Sequence, residues 1–364
     1  MRRLLLFGIA VLLPSQDNRS VQRVSSQTLT EVARWGGSDD DTIFSSRIGS
    51  AALHHSGLLV VTFPQLGRVL ITRLGSRRLQ QIGRMGQGPG EFTRPGSVGW
   101  KGDSLWIWDS ALLRLSWLDT QGHFLGSERS QESGGIYPLL DGSWYRFLAN
   151  ELGDTSAKVV RVSPDRRRTS NIVSYSWPKA PPLNIKVQQN AIVGVQPFLN
   201  QANVVVSATS NNLFVVEPLQ KPGAVRLRLV SSAGQTLTDR QLMLPLQPLT
   251  DSFYNAALSV WRERGGPEHR SLPPDVLQRS IYRPKYLPTV RGRMVAAEET
   301  LWLQAGPETS SFTTWVLVSP AGEVVGSVTG PPQLRLLAAT GANIVGALTT
   351  ETGVEALVQL RLGK

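Results

Sequence analysis

The stretch GRMGQGPGEFTRPGSVGW, residues 83–100, decides whether the chain is predicted to be a nucleotide-binding enzyme or a structural scaffold of β-strands. It holds six glycines and two prolines, a composition found in loops that cradle phosphate and also in turns between strands. A P-loop requires Lys-Ser or Lys-Thr after its last glycine, and neither follows here. A dinucleotide-binding loop leads into a helix, whereas this stretch leads into the apolar run SLWIWD. The stretch is therefore predicted to connect two strands.

Short apolar runs separated by polar turns recur along the chain. Four segments have the form strand, turn, strand, from LSWLDTQGHFLG (115–126) to WVLVSPAGEVVG (315–326). The turns contain Asp or Ser, which bond the backbone, and most contain Gly, which supplies positive φ. Further apolar runs around Leu59, Leu105 and Trp144 precede such segments at a period of roughly 40–50 residues. Four strands per repeat at this period are typical of a β-propeller.

The predicted fold is all-β, a single six-bladed β-propeller formed by residues 16–364. Its blades are expected at 47–83, 95–130, 135–176, 190–244, 285–330 and 333–362. The last blade has only three convincing strands. A strand at 28–34 is expected to complete it, because an open edge would expose unpaired backbone.

A short helical insertion is predicted at about 249–283, where the repeat pattern breaks. Asp251 or Ser252 can cap a helix whose apolar side carries Phe253, Ala256, Ala257, Val260 and Trp261. A second short helix is expected to start at Pro273-Pro274.

The N-terminus MRRLLLFGIAVLLPSQ predicts a signal peptide over residues 1–15. Arg2 and Arg3 precede an apolar run, Leu4 to Leu13, that is too short to span a bilayer as an ordinary helix. The alternative is a buried N-terminal strand or helix. The protein is expected to be secreted or periplasmic, with no membrane span in the mature chain.

The amino-acid composition limits the kinds of site that the protein can contain. The chain of 364 residues contains no cysteine, which excludes disulfides, thiolate metal sites and cysteine nucleophiles. The formal net charge of +11 favours anionic partners in general. Because the basic residues are scattered along the chain, however, they are predicted to form a solvated surface rather than one basic binding site.

Residues 83–127 resemble bacterial six-bladed β-propeller proteins related to NHL repeats. The shared pattern is G-x-G-x-G-P-G-E-F, then Pro, a strand with D-x-L-W-V-x-D, and R-I-x-V-F-D-x-x-G-x-F. The matching positions here are Gly86, Gly88, Pro89, Gly90, Glu91, Phe92, Pro95, Leu105, Trp106, Asp109, Arg114, Asp119, Gly122 and Phe124. The match is specific over about 45 residues and weaker elsewhere, and several blades lack the Asp and Arg. The resemblance implies a connection between blades, with Phe92 anchored between them.

Five residues in this region are the candidate ligand-binding residues: Gln87, Glu91, Arg94, Asp109 and Arg114. An inward Arg94 would be a bidentate contact for carboxylate, sulfate or phosphate, whereas pairing with Glu91 or with an acid of a neighbouring blade would only stiffen the loop. Asp109 and Arg114 flank a hairpin, where they can form a structural bridge or present polar groups on the loop face.

No catalytic residue, metal site or cofactor is predicted. His54, His55 and His123 lie at turns and are expected to be exposed rather than to be ligands. The run Asp39 to Asp41 lacks the alternate spacing of a calcium loop. No G-x-S-x-G nucleophile motif occurs in the chain.

The leading functional hypothesis is a non-catalytic secreted propeller that binds a ligand or protein partner on one face of its ring. The ligand would be a protein or a small anionic or carbohydrate molecule. One alternative is a propeller enzyme of hydrolase or lyase type acting at the central channel. The other is binding of a polyanion or nucleic acid, although an exported chain would rarely meet nucleic acid.

Overall fold

The computed structural model describes most of the chain from residue 25 onward. The described residues are 25–37, 44, 46–130, 135–148, 156–176, 183–187, 190–194, 196–264, 267–297, 299–308, 311–350 and 353–363. The predicted signal peptide, residues 1–15, and the acidic run, residues 39–41, lie outside them.

The described strands of the N-terminal half form successive sheets, antiparallel except for one short parallel pair in the first sheet. The first described strand is β1 (Ser25–Gly36). The first sheet contains β2 (Ala51–Leu53), β3 (Leu58–Phe63), β4 (Arg68–Arg73), β5 (Gln80–Met85) and the short β6 (Glu91–Phe92), in that spatial order. The second contains β7 (Pro95–Lys101), β8 (Ser104–Asp109), β9 (Arg114–Leu118) and β10 (Phe124–Arg129). The third contains β11 (Gly135–Pro138), β12 (Trp144–Leu148), β13 (Ser156–Val162) and β14 (Thr169–Ser176).

The C-terminal half continues the same order after a two-stranded sheet of β15 (Leu183–Val187) and β16 (Asn190–Gly194). The fourth sheet contains β17 (Asn203–Val206), β18 (Leu213–Pro218), β19 (Ala224–Val230) and β20 (Thr236–Met243). Three helices follow, α1 (Asp251–Arg264), α2 (Pro267–Arg270) and α3 (Pro274–Ser280). The fifth sheet contains β21 (Arg291–Ala297), β22 (Thr300–Glu308), β23 (Thr313–Val318) and β24 (Val324–Gly330). The terminal sheet contains β25 (Leu334–Thr340), β26 (Asn343–Thr349) and β27 (Glu355–Leu362).

Strand β1 joins the two ends of the chain. It pairs antiparallel with β27, from Leu29 opposite Leu362 to Gly36 opposite Ala356. Its first residues also pair in parallel with β24, which links the fifth and terminal sheets into eight hydrogen-bonded strands. The predicted pairing of an N-terminal strand with the last strand is confirmed.

Apolar side chains pack between neighbouring sheets. Separate clusters join the first sheet to the second, the second to the third, the third to the fourth and the fourth to the fifth. Two more join the fifth sheet to the terminal sheet and the terminal sheet to the first. The middle strands are therefore covered on both faces, which explains why β3, β8 and β18 each contain an unbroken run of four apolar residues, LLVV, LWIW and LFVV.

The first strands of the sheets lie beside one another. Strand β2 contacts β7 and β25, and β21 contacts β17 and β25. Sheets that radiate from such a common axis and stack face to face form a β-propeller. Among the described residues, no helix is both long and apolar enough to cross a bilayer.

One blade boundary differs from the sequence-based expectation. The fourth sheet begins at residue 203 rather than 190, because residues 190–194 pair with β15 instead. Leu183 and Ile185 of β15 are buried against the helices, which provide an apolar surface outside the repeat.

Helix α1 differs from the prediction in its cap and at one position of its apolar side. The hydroxyl of Thr250, rather than Asp251 or Ser252, accepts a hydrogen bond from the Phe253 amide at 3.3 Å. Phe253, Ala257 and Trp261 pack against the buried cluster as predicted, with Tyr254 and Leu258 at its centre, whereas Ala256 is exposed. The bulky residues set the orientation because they fill the space against α3 and β15.

Candidate functional site

The glycine-rich stretch forms a compact connection from β5 to β7. Phe92 is fully buried in the cluster between the first and second sheets, which confirms its predicted role as an anchor. A side chain at Gly83 would place its Cβ 2.5 Å from the Phe92 ring, so glycine is required there. Gly90 adopts a φ of 70°, which favours glycine at the turn before Glu91.

Glu91 holds the loop through its carboxylate. The carboxylate accepts a hydrogen bond from the Gly88 amide at 2.9 Å and pairs with the Arg84 guanidinium at 2.9 Å. The Gly88 hydrogen bond, followed by that from Arg84, lowers the pKa of Glu91 below its usual range. Glu91 thus pairs with Arg84 and not with Arg94, the partner that the sequence suggested.

Asp109 is fully buried at the end of β8 and organises two turns. One carboxylate oxygen accepts the amides of Thr93 and Arg94 at 2.7 and 3.0 Å. The other accepts the amides of Ala111 and Leu112, both at 3.0 Å. Its contacts therefore fix the glycine-rich connection against the β8–β9 hairpin.

Arg114 stands opposite Asp109 in the β8–β9 register but does not form an ion pair with it among the described residues. Its buried guanidinium donates to the carbonyls of Gln87 at 2.8 Å and Gly88 at 3.2 Å, and also to that of Glu91. The two side chains stabilise the same loop from different sides, in place of a direct bridge.

Of the five predicted ligand-binding residues, Gln87 and Arg94 are exposed. The side chain of Arg94 makes no hydrogen bond or ion pair with the described part of the chain. Ligand binding by these five residues stays a prediction.

Two grooves lie at the other end of the first sheet. In an antiparallel sheet, the β2–β3 and β4–β5 turns share one end, and the β3–β4 turn shares the opposite end with the connection to the next sheet. The glycine-rich loop therefore belongs to one face of the propeller and the two grooves to the other. The turn at His55 and Ser56 lies between the grooves and lines both.

The first groove has a volume of about 960 Å³ and lies between the terminal sheet and the first sheet. Its polar lining consists mainly of Arg34, Arg77, Asn343, Gln359 and Arg361, and no Asp or Glu is among its lining residues in the described chain. Arg34 is engaged by Glu31 through two hydrogen bonds of 2.8 and 2.7 Å.

Arg77 and Arg361 provide the available positive charge of the first groove. Both are exposed, and neither forms an ion pair with any described residue. Arg77 comes from the β4–β5 turn and Arg361 from the end of β27, so two sheets contribute one arginine each. The groove is suited to an anion because guanidinium groups bind carboxylate, sulfate and phosphate in a bidentate manner.

The second groove, of about 880 Å³, lies between the first and second sheets. It contains His54, His55, Asp103 and His123. The expectation that the histidines are exposed holds for His55 and His123 but is wrong for His54, which is 3% exposed. His54 is buried because its ring packs against Trp100, with ring centroids 4.6 Å apart.

Sequence reasoning did not select the arginines of the first groove. Arg77 is part of an Arg-Arg pair in a turn, which is a detectable signal. Arg361, in contrast, is 284 positions further along the chain, and the packing of the terminal sheet on the first sheet brings the two arginines to one groove.

Comparisons with known proteins give similarity in fold only. No protein-family model matches the chain, and no curated protein matches its sequence. A member of the DUF4221 family from Bacteroides vulgatus is 8% identical, with a TM-score of 0.49 over 94% of this chain and 98% of that one. The PQQ-bound aldose sugar dehydrogenase from Streptomyces coelicolor is 12% identical, with a TM-score of 0.48 over 93% and 98%. Virginiamycin B lyase from Staphylococcus aureus is 10% identical, with a TM-score of 0.45 over 92% and 99%. At such values no ligand or activity is carried over to this chain.

Proposed function

We propose that this protein is a secreted or periplasmic, non-catalytic β-propeller that binds an anionic saccharide in the first groove. The observation that carries the proposal is the pair of exposed arginines, Arg77 and Arg361, in a groove lined by no described carboxylate. Asn343 and Gln359 add carboxamides that can bond sugar hydroxyls. The excess of positive charge on the chain favours an anion over a neutral sugar.

The ring is proposed to have six blades and to be related to NHL-repeat propellers. Support for the count comes from the order of the interfaces, in which each of six sheets packs on the next and the terminal sheet packs on the first. Support for the relationship comes from the G-x-G-P-G-E-F pattern at 86–92. Export is supported by the basic and apolar N-terminal sequence, and N-terminal sequencing of the mature protein tests it.

Isothermal titration with three probes tests the binding proposal. A sulfated disaccharide and digalacturonate are expected to bind, whereas neutral cellobiose is not. Arg77→Ala and Arg361→Ala should each weaken binding about tenfold, since a hydrogen bond to a charged group contributes about 1.5–3 kcal/mol. Arg167→Ala, at an exposed arginine of the third sheet's β13–β14 turn, is the matched control and should bind like the wild type.

Two results would contradict the proposal. One is equal binding of charged and neutral probes. The other is the same loss of affinity in the Arg167 control as in the groove variants. Mass spectrometry of the titrated mixture also tests the alternative of a hydrolase or lyase, because cleavage would release new products.

A further inference from the structure

A cluster of potential metal ligands lies in the second groove. His54 and His55 belong to the turn after β2, and Asp103 belongs to the turn between β7 and β8 of the next sheet. Each residue offers one ligand atom, and these atoms all lie within 4.8 Å of one another. Among the described residues, this is the one group of three or more histidines, aspartates and glutamates with that spacing.

The buried His54 is the strongest indication of a ligand. Its Nδ1 atom faces the Ser56 hydroxyl at 2.8 Å, which orients the ring. Its Nε2 atom points toward Asp103, 3.2 Å from Oδ1, yet makes no hydrogen bond to the described residues. A buried polar atom without a hydrogen bond is uncommon and calls for a bound water, a proton or an ion.

The spacing fits a small transition-metal ion. Two ligands bound to zinc at about 2.0–2.1 Å in tetrahedral geometry lie about 3.3 Å apart, close to the separation of His54 Nε2 and Asp103 Oδ1. The three ligand atoms lie within 4.8 Å of one another, somewhat further apart than ligands of a bound zinc ion. Asp103 and His55 are exposed on turns, so their side chains can move the short distance to the ion.

The donor set selects the class of metal. Two imidazoles and one carboxylate suit Zn²⁺ and neighbouring divalent ions, whereas Ca²⁺ and Mg²⁺ prefer oxygen ligands throughout. Ligation through Nε2 requires the tautomer in which Nδ1 of His54 donates to the Ser56 hydroxyl, an outer hydrogen bond of the kind that orients a ligating imidazole. The Ser56 amide, which lies 3.4 Å from the same Nδ1 atom, cannot donate to it in that tautomer.

We infer that His54, His55 and Asp103 form a site for a divalent transition-metal ion of the Zn²⁺ type, which ties the first sheet to the second. Three protein ligands leave coordination positions for water or an anion from the groove. This site is independent of the arginines of the first groove, and its test uses the metal alone.

The experiment titrates Zn²⁺ into chelator-treated, full-length protein by calorimetry, with Co²⁺ absorption as a second readout. One ion per chain is expected to bind, and the Co²⁺ spectrum should indicate fewer than six ligands. His55→Ala and Asp103→Asn should each weaken Zn²⁺ binding by more than about tenfold. Both residues are exposed, so circular dichroism should show that the variants stay folded.

His123→Ala is the matched control, because His123 is an exposed histidine of the same groove outside the cluster. It should bind Zn²⁺ like the wild type. The inference is overturned if the wild type binds no stoichiometric ion. It is also overturned if the His123 variant loses as much affinity as the other two.

Discussion

At the scale of single residues, the most informative side chains are charged groups that bind backbone. Asp109 and Arg114 were selected from the sequence as a pair, yet each binds a different part of the same loop. A register position shows that two side chains stand opposite one another. The register does not show whether the two side chains bind each other or bind nearby backbone groups. Here Asp109 and Arg114 bind backbone amides and carbonyls of the glycine-rich connection instead of each other.

Replacing Asp109 with Ala is expected to destabilise the protein by about 3 kcal/mol or more. Four backbone amides would lose a charged acceptor in a buried position. Asp109→Asn, which keeps one acceptor oxygen, should cost less. Urea denaturation measures the loss, with Asp165→Ala at an exposed turn as the control. Equal stability of the Asp109 and Asp165 variants would contradict the buried role.

The Glu91 carboxylate makes the loop sensitive to acid. Its pKa is lower in the folded protein than in the unfolded chain, so its contribution to stability is present above the usual glutamate pKa. That contribution is lost as the pH falls through the lowered folded-state pKa. The carboxyl carbon of Glu91, followed by NMR, should therefore titrate below the usual range for glutamate.

Loss of the Gly88 hydrogen bond should accompany that titration. The protection factor of the Gly88 amide, its exchange rate compared with that of an unfolded peptide at the same pH, is expected to fall at acid pH in the wild type and to be low at every pH in Glu91→Ala. A titration midpoint at or above the ordinary glutamate value would show that the carboxylate does not hold the loop.

At the scale of elements, two features were predictable from the sequence: the strands, which are short apolar runs, and the Gly-containing turns that bound them. Runs such as β8 and β18 are buried on both faces, and their composition is sufficient to identify them. The β15–β16 sheet was not identified, because residues 190–194 read equally well as the start of the next blade. Their partner is decided by the apolar surface of the helices, which no local pattern encodes.

Strand β1 is predicted to be essential for stability. Deleting residues 16–36 removes the pairing of β1 with both β24 and β27. It also removes the buried side chains of Leu29 and Trp35, which exposes the apolar residues that pack against them. The melting temperature should fall by at least about 10 °C, or the protein should fail to fold. Deletion of residues 1–15 alone is the control. A Tm equal to that of the control would contradict the role of β1.

At the scale of the whole molecule, the sequence predicted the propeller architecture and the pairing of the chain ends but not the grooves. The architecture follows from a repeat, which is visible along the chain. The position of a groove depends on which turns become neighbours when the sheets stack. Arg77 and Arg361 line the same groove because the terminal sheet stacks on the first sheet. The sequence instead directed attention to the glycine-rich loop, whose residues are mostly engaged in holding one another.

A crystal structure of the protein with the sulfated disaccharide is the most direct test of the central claim. The predicted result is a closed ring of six sheets, with the sulfate between the guanidinium groups of Arg77 and Arg361 in the first groove. A saccharide bound instead at the opposite face, beside Arg94 and Gln87, or a ring with another number of blades, would contradict the account.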